Sequence, residues 1–81
     1  MPSPTSEGDR VIVSLSRDEA IVLHDWLARF HAGRPSFEDQ AEQRVLWDLE
    51  ATLESALAEP LRSDFPARLA EARSRVRDQE G

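Results

Sequence analysis

The sequence predicts a small, mainly α-helical domain in which one short β-strand precedes three helices. Its 81 residues suffice for a single domain. Apolar residues recur with helical spacing in three segments, whereas residues 11–15 alternate with the period of a strand. Residues 1–9 are rich in proline and small polar residues and are expected to form a disordered tail, so that residues 10–81 make up the domain.

The predicted strand comprises Val11, Ile12, Val13, Ser14 and Leu15. No other segment alternates in this way, so we expect the strand to have no partner within the chain. Its backbone N–H and C=O groups then need other partners. Three outcomes stay open: pairing with a second copy in a symmetric dimer, addition to the sheet edge of another protein, or an extended segment lying across the helices.

The helices are predicted at about 17–32, 37–58 and 65–78. Ser16 and Glu19 have the spacing of a capping box, which would start the first helix. Gly33 is expected just beyond the end of that helix, in the left-handed conformation that glycine tolerates. Ser36 is the expected N-cap of the second helix.

The apolar stripe of each helix predicts which residues form the core. They are Leu23, Trp26, Leu27 and Phe30 on the first helix, Val45, Leu46, Leu49, Leu53, Ala56 and Leu57 on the second, and Phe65, Leu69, Ala72 and Val76 on the third. Ile21 lies on the opposite side of the first helix from Trp26 and Phe30, so we expect it on the surface.

The composition argues against an enzyme. Cysteine and tyrosine are absent and all ten basic residues are arginine, so thiol, phenol and amine nucleophiles are missing. His24 and Asp25 are helical neighbours that point about 100° apart and cannot form a catalytic dyad. His24 and His31 are separated by about 10 Å along the helix, so no shared metal site is expected. Neither a metal nor a cofactor is predicted.

The second helix suggests a surface for another protein. Between Glu38 and Glu59 the chain has seven carboxylates and one arginine, which accounts for the whole net charge of −6. Trp47 lies about 140° from the centre of the core stripe, within this acidic face. Two interpretations stay open. The strand or the third helix covers Trp47 or leaves it merely partly exposed, or Trp47 and the flanking carboxylates form a surface for a basic protein partner. The candidate partner-binding residues are Trp47, Glu50, Glu54, Asp39 and Gln43.

The third helix carries Arg73, Arg75 and Arg77 near its C-terminal end, where cations complement the helix dipole. A phosphate-contacting role would make the protein a weak nucleic-acid binder. The acidic net charge and the absence of interleaved aromatic residues argue against it.

The stretches LSRDEAIVLHDWLARF, AEQRVLWDLEATLESAL and FPARLAEARSRV resemble small uncharacterised bacterial proteins of actinobacterial type. The resemblance covers most of residues 11–77 and implies no activity. The exclusive use of arginine is typical of GC-rich genomes. No apolar run approaches the length of a membrane span and no secretory signal is evident, so a cytoplasmic location is expected.

The leading functional hypothesis is a protein-binding module, of which an immunity protein or an antitoxin that masks a basic partner would be one example. The alternative is a structural homodimer or an accessory subunit of a larger complex. Nucleic-acid binding through the third helix ranks third.

Overall fold

The structure is a computed structural model that describes residues 3–79, with backbone alone for residues 3–7. Its elements are β1 (Ser3–Glu7), β2 (Arg10–Ser14), α1 (Arg17–Ala32), α2 (Gln40–Ala56), a 3-10 turn (Glu59–Leu61) and α3 (Phe65–Arg77). The predicted fold class, mainly α with strand structure ahead of three helices, is confirmed. The outermost parts of the predicted tail and domain, residues 1–2 and 80–81, lie outside the described residues.

The N-terminal strand has a partner within the chain. β1 and β2 pair antiparallel, with Glu7 opposite Arg10. The turn between them contains Gly8 at a φ of +60°, a conformation that glycine adopts without steric cost. The expectation of an unpaired strand is therefore wrong, and the backbone of residues 3–7, assigned to the tail, belongs to this hairpin. Backbone pairing across a two-residue Gly-Asp turn does not require side chains that alternate in polarity.

The capping box at the start of α1 is confirmed. The backbone N–H of Glu19 donates to Ser16 Oγ at 3.1 Å, and the backbone N–H of Ser16 donates to Glu19 Oε1 at 2.8 Å. At the other end, Gly33 has a φ of −82° and Arg34 a φ of +55°, so the left-handed residue is the arginine. The N–H of Gly33 still bonds to the carbonyl of Arg29, and the chain therefore reverses one residue later than expected.

Helix α2 begins later than its sequence pattern suggests. Asp39, and not Ser36, is the N-cap, since its side chain accepts a hydrogen bond from the backbone N–H of Ala41 at 2.7 Å. Residues 37–39 remain outside the helix as part of the connection from α1. This connection carries Phe37.

Helix α1 lies between the other two helices and packs against both. The buried apolar residues are Ile21, Leu27, Leu53, Leu57 and Ala72. Ile21, expected on the surface, is only 4% exposed, whereas Trp26 is 47% and Val45 63% exposed. A helix held between two neighbours buries two faces, so a single apolar stripe is a poor guide to its core residues.

Ion pairs join α3 and the 3-10 turn to α1. Arg75 donates to both carboxylate oxygens of Asp18, at 2.8 and 3.0 Å, and Arg73 donates to Asp25 at 3.1 Å. Arg17 forms a similar two-bond contact with Glu59. The hydrogen bond from Arg75 lowers the pKa of the Asp18 carboxyl below its usual value.

Within residues 3–79, none of the helices combines the length and the apolar character needed to cross a membrane.

Candidate functional site

Aromatic side chains from α1 and from its connection to α2 meet on one side of the molecule. Trp26 and Phe30 are four residues apart on α1 and stack with ring centroids 4.9 Å apart. Phe37, from the connection, meets Phe30 edge to face at 6.0 Å. We refer to these three residues, with Val45 of α2, as the aromatic surface.

The aromatic surface is partly open to solvent. Trp26 is 47% and Val45 63% exposed, and Trp47, on another flank of α2 against His31, is 52% exposed. Single exposed apolar residues are ordinary, but two half-exposed tryptophans on adjoining helices are unusual for a domain of this size. The surface therefore has the composition of an interaction site.

An open groove of about 580 Å³ lies within this surface. Phe30, Phe37 and Val45 contribute to its apolar lining, and Ser36 and Glu42 are its polar lining residues. Its size falls in the range of ligand-binding clefts. Glu42 places a carboxylate at a largely apolar groove, which favours a cationic occupant with an apolar portion.

A second group of side chains lies where α1 faces α2. His31 Nδ1 is 2.5 Å from Glu50 Oε1, and His24 Nε2 is 3.6 Å from Glu54 Oε2. We call these four residues the His–Glu layer. The two histidines are two helical turns apart on α1, and the two glutamates are one turn apart on α2. Each histidine lies nearest to one of the glutamates.

Burial within the His–Glu layer is uneven. His24 is 6% exposed and is the one buried polar side chain among the described residues. Its two ring nitrogens, and Nε2 of His31, have no hydrogen-bond partner within residues 3–79. One possible ligand atom from each of His24, Glu50 and Glu54 lies within 4.8 Å of the other two. This set could hold a metal ion, although the sequence pattern predicted none.

The structure separates the candidate partner-binding residues into different environments. Trp47 is half exposed and its ring meets His31 edge to face at 6.4 Å. Glu50 is turned toward His31 and its side chain is 23% exposed. Glu54 is exposed, Gln43 is partly buried and Asp39 serves as the cap of α2. Their role in binding a partner stays a prediction.

Two features of the candidate sites were not predicted from the sequence. Trp26 was assigned to the core, so its contribution to the aromatic surface was missed. The seven-residue spacing of His24 and His31 argues only against a metal site that the two histidines share, so it does not by itself indicate the His–Glu layer. Their spacing of seven residues, opposite glutamates spaced by four on the next helix, is the signal that could have indicated it.

In the predicted dimer strand, Val11 to Ser14 belong to β2 and are exposed, whereas Leu15 follows β2 and packs partly buried against the core. Val11 is 73% and Val13 55% exposed. One edge of β2 pairs with β1. Two of the arginines predicted as candidates for contacting nucleic acid, Arg73 and Arg75, form ion pairs with carboxylates of α1.

Comparison with protein-family models, with curated proteins and with solved structures finds no match to this chain. The finding agrees with the resemblance noted from the sequence, to which no functional family is attached.

Proposed function

We propose that this protein is a protein-binding module whose aromatic surface takes a basic, partly apolar segment of another protein. The observation that carries the proposal is the half-exposed Trp26, which stacks on Phe30 beside an open apolar groove. An inhibitor that masks a basic partner, such as an immunity protein or an antitoxin, is the kind of function this would serve.

Apolar burial would supply most of the affinity. A tryptophan side chain buries roughly 150–250 Å² when it is covered, and tryptophan is enriched among the residues that dominate binding energy. Phe30 and Phe37 form the edge-to-face pair beneath the groove, so a partner side chain would enter a site whose wall is already packed.

Charge would supply orientation and speed. Helix α2 carries Glu42, Asp48, Glu50 and Glu54 against Arg44 alone. Glu42 lies at the groove itself, where it would attract a lysine or arginine flanking the inserted apolar side chain. Complementary charge raises association rates and excludes acidic partners.

The test is capture of a partner from the native host, followed by direct binding of the purified pair. Trp26→Ala and Glu42→Arg should each weaken the complex at least tenfold, and added salt should slow association. Leu61→Ala is the matched control, because Leu61 is 90% exposed and lies outside the aromatic surface. Equal binding by all three variants, or a partner with an acidic contact segment, would overturn the proposal.

The second candidate is a homodimer formed through β2, for which the exposed Val11 and Val13 provide support. The outer edge of a two-stranded hairpin can pair with its symmetry mate. Light scattering at micromolar concentration distinguishes the two: a dimer that Val13→Lys dissociates supports this candidate, and a monomer removes it. Nucleic-acid binding is a weaker third, and lack of DNA binding at low salt would eliminate it.

A further inference from the structure

We propose that His24, Glu50 and Glu54 form a binding site for a first-row divalent cation of the zinc class. The site lies between α1 and α2, apart from the aromatic groove, and the inference does not depend on the proposed partner. Three observations carry it: the convergence of three ligand side chains, the burial of an unpartnered imidazole, and a neighbouring histidine that orients one of the glutamates.

The three side chains converge from two helices. Glu50 and Glu54 are one turn apart on α2, and His24 faces them from α1. One ligand atom from each lies within 4.8 Å of the other two. Around a tetrahedral zinc ion with bonds of about 2.0–2.1 Å, ligand atoms are roughly 3.3 Å apart. The side chain of Glu54 is 66% exposed, so its rotation can close the remaining gap.

The imidazole of His24 lacks what a buried polar group needs. Its side chain is 8% exposed and lies with Nε2 3.6 Å from Glu54 Oε2, beyond hydrogen-bonding range. Neither ring nitrogen has a hydrogen-bond partner among the described residues. A buried nitrogen without a partner is costly. A cation between His24 and the two carboxylates would use the Nε2 lone pair and satisfy that nitrogen.

His31 acts as a positioning residue in this arrangement. Its Nδ1 is 2.5 Å from Glu50 Oε1, which fixes the direction in which the Glu50 carboxylate points. Trp47 meets the His31 ring edge to face and limits its movement. Such contacts to metal ligands commonly determine both their orientation and the affinity of the site.

The donor set selects the class of ion. Imidazole nitrogen suits zinc and its neighbours, whereas calcium and magnesium prefer oxygen donors alone. Two carboxylates and one neutral imidazole would give the complex with a divalent ion no net charge. Three protein ligands would leave room for a water molecule, as in zinc sites that bind exogenous ligands.

The experiment titrates the full chain, freed of any purification tag and stripped with a chelator, with ZnCl₂ by calorimetry. We expect one saturable equivalent. Glu54→Gln should weaken binding at least tenfold, since it removes one anionic ligand at an exposed position without disturbing the core. Asp48→Asn is the matched control: it makes the same change of charge on the exposed side of α2 and should bind as the parent does.

Cobalt supplies a second readout, because Co²⁺ bound by nitrogen and oxygen ligands in a low-symmetry site absorbs visible light. Glu54→Gln and His24→Gln should lose the band, and His31→Gln should shift it through the reoriented Glu50. Circular dichroism confirms that each variant is folded, and the exposed Glu54 decides the outcome if His24→Gln does not fold. No saturable binding up to about 100 μM zinc, or equal binding by Glu54→Gln and Asp48→Asn, would overturn the proposal.

Discussion

The two isoleucines of the chain test the arrangement of the core with identical chemistry. Ile21 is 4% exposed on α1, and Ile12 is 42% exposed on β2. Ile21→Ala and Ile12→Ala remove the same three carbon atoms, so any difference between them reports the surroundings and not the substitution. The helical wheel would place Ile21 on the surface, where a substitution costs little.

The expected cost follows from burial. Removing three buried carbons forfeits about 2.4 kcal/mol of transfer free energy, and the cavity left in the core adds to this. Alanine recovers a few tenths of a kcal/mol as the better helix former. We therefore expect Ile21→Ala to lower the free energy of unfolding by about 3 kcal/mol. Ile12→Ala should cost only about 1 kcal/mol, because 42% of this residue is already exposed to water.

Urea denaturation followed by circular dichroism at 222 nm measures both values. This signal reports the helices, so fraying of the hairpin does not enter the comparison. A domain of this size has a stability of only about 5–10 kcal/mol, and a loss of 3 kcal/mol is plainly resolved. If the two variants differ by less than about 1 kcal/mol, Ile21 is not in the core and the packing of α1 described above is incorrect.

Two further outcomes follow from local structure. Gly33→Ala should stabilise the protein by about 0.4–1 kcal/mol. The φ of −82° suits alanine, and the added Cβ would meet only ordinary van der Waals contacts. A loss of stability in urea denaturation would instead indicate a left-handed Gly33. The pKa of the Asp18 carboxyl is lowered by its hydrogen bonds from Arg75, so the unfolded chain binds the proton more tightly. This pair stabilises the protein above about pH 4 and loses its effect as pH falls through the lowered pKa, so melting temperatures of Asp18→Asn should fall less steeply below pH 4 than those of the parent. If the melting temperatures of the two proteins fell equally steeply below pH 4, the stabilising role of the Asp18–Arg75 pair would be contradicted.

The helices were predictable because their signals are local. Ser16 and Glu19 form the capping box that their spacing indicates, and α1 covers the expected residues 17–32. Errors appeared where two local signals competed: Ser36 and Asp39 can both cap a helix, and Gly33 and Arg34 can both end one. The hairpin was missed for a different reason. Gly8 and Asp9 favour a two-residue turn, but the proline and small polar residues of residues 1–9 favour a disordered tail.

The candidate sites were less predictable than the helices. Trp47 was singled out correctly as a side chain outside the core stripe, and it is half exposed. Trp26 was assigned to the core, although α1 turns it toward solvent. Glu50 was grouped with Trp47 as a partner-binding residue, but its carboxylate faces His31. Each of these differences depends on how α1 is rotated relative to α2, which no pattern within one helix reports.

By itself, the sequence determined the number and approximate positions of the helices, the acidic character of α2 and the absence of cysteine, tyrosine and lysine. These depend on spacing within a few residues or on composition alone. Only the tertiary structure decided that Ile21 is buried, that Trp26 is half exposed, and that His24 faces Glu54. Those contacts join residues far apart in the chain, and they depend on the rotation of α1 between two neighbours, because a helix packed on two sides can bury either of two faces.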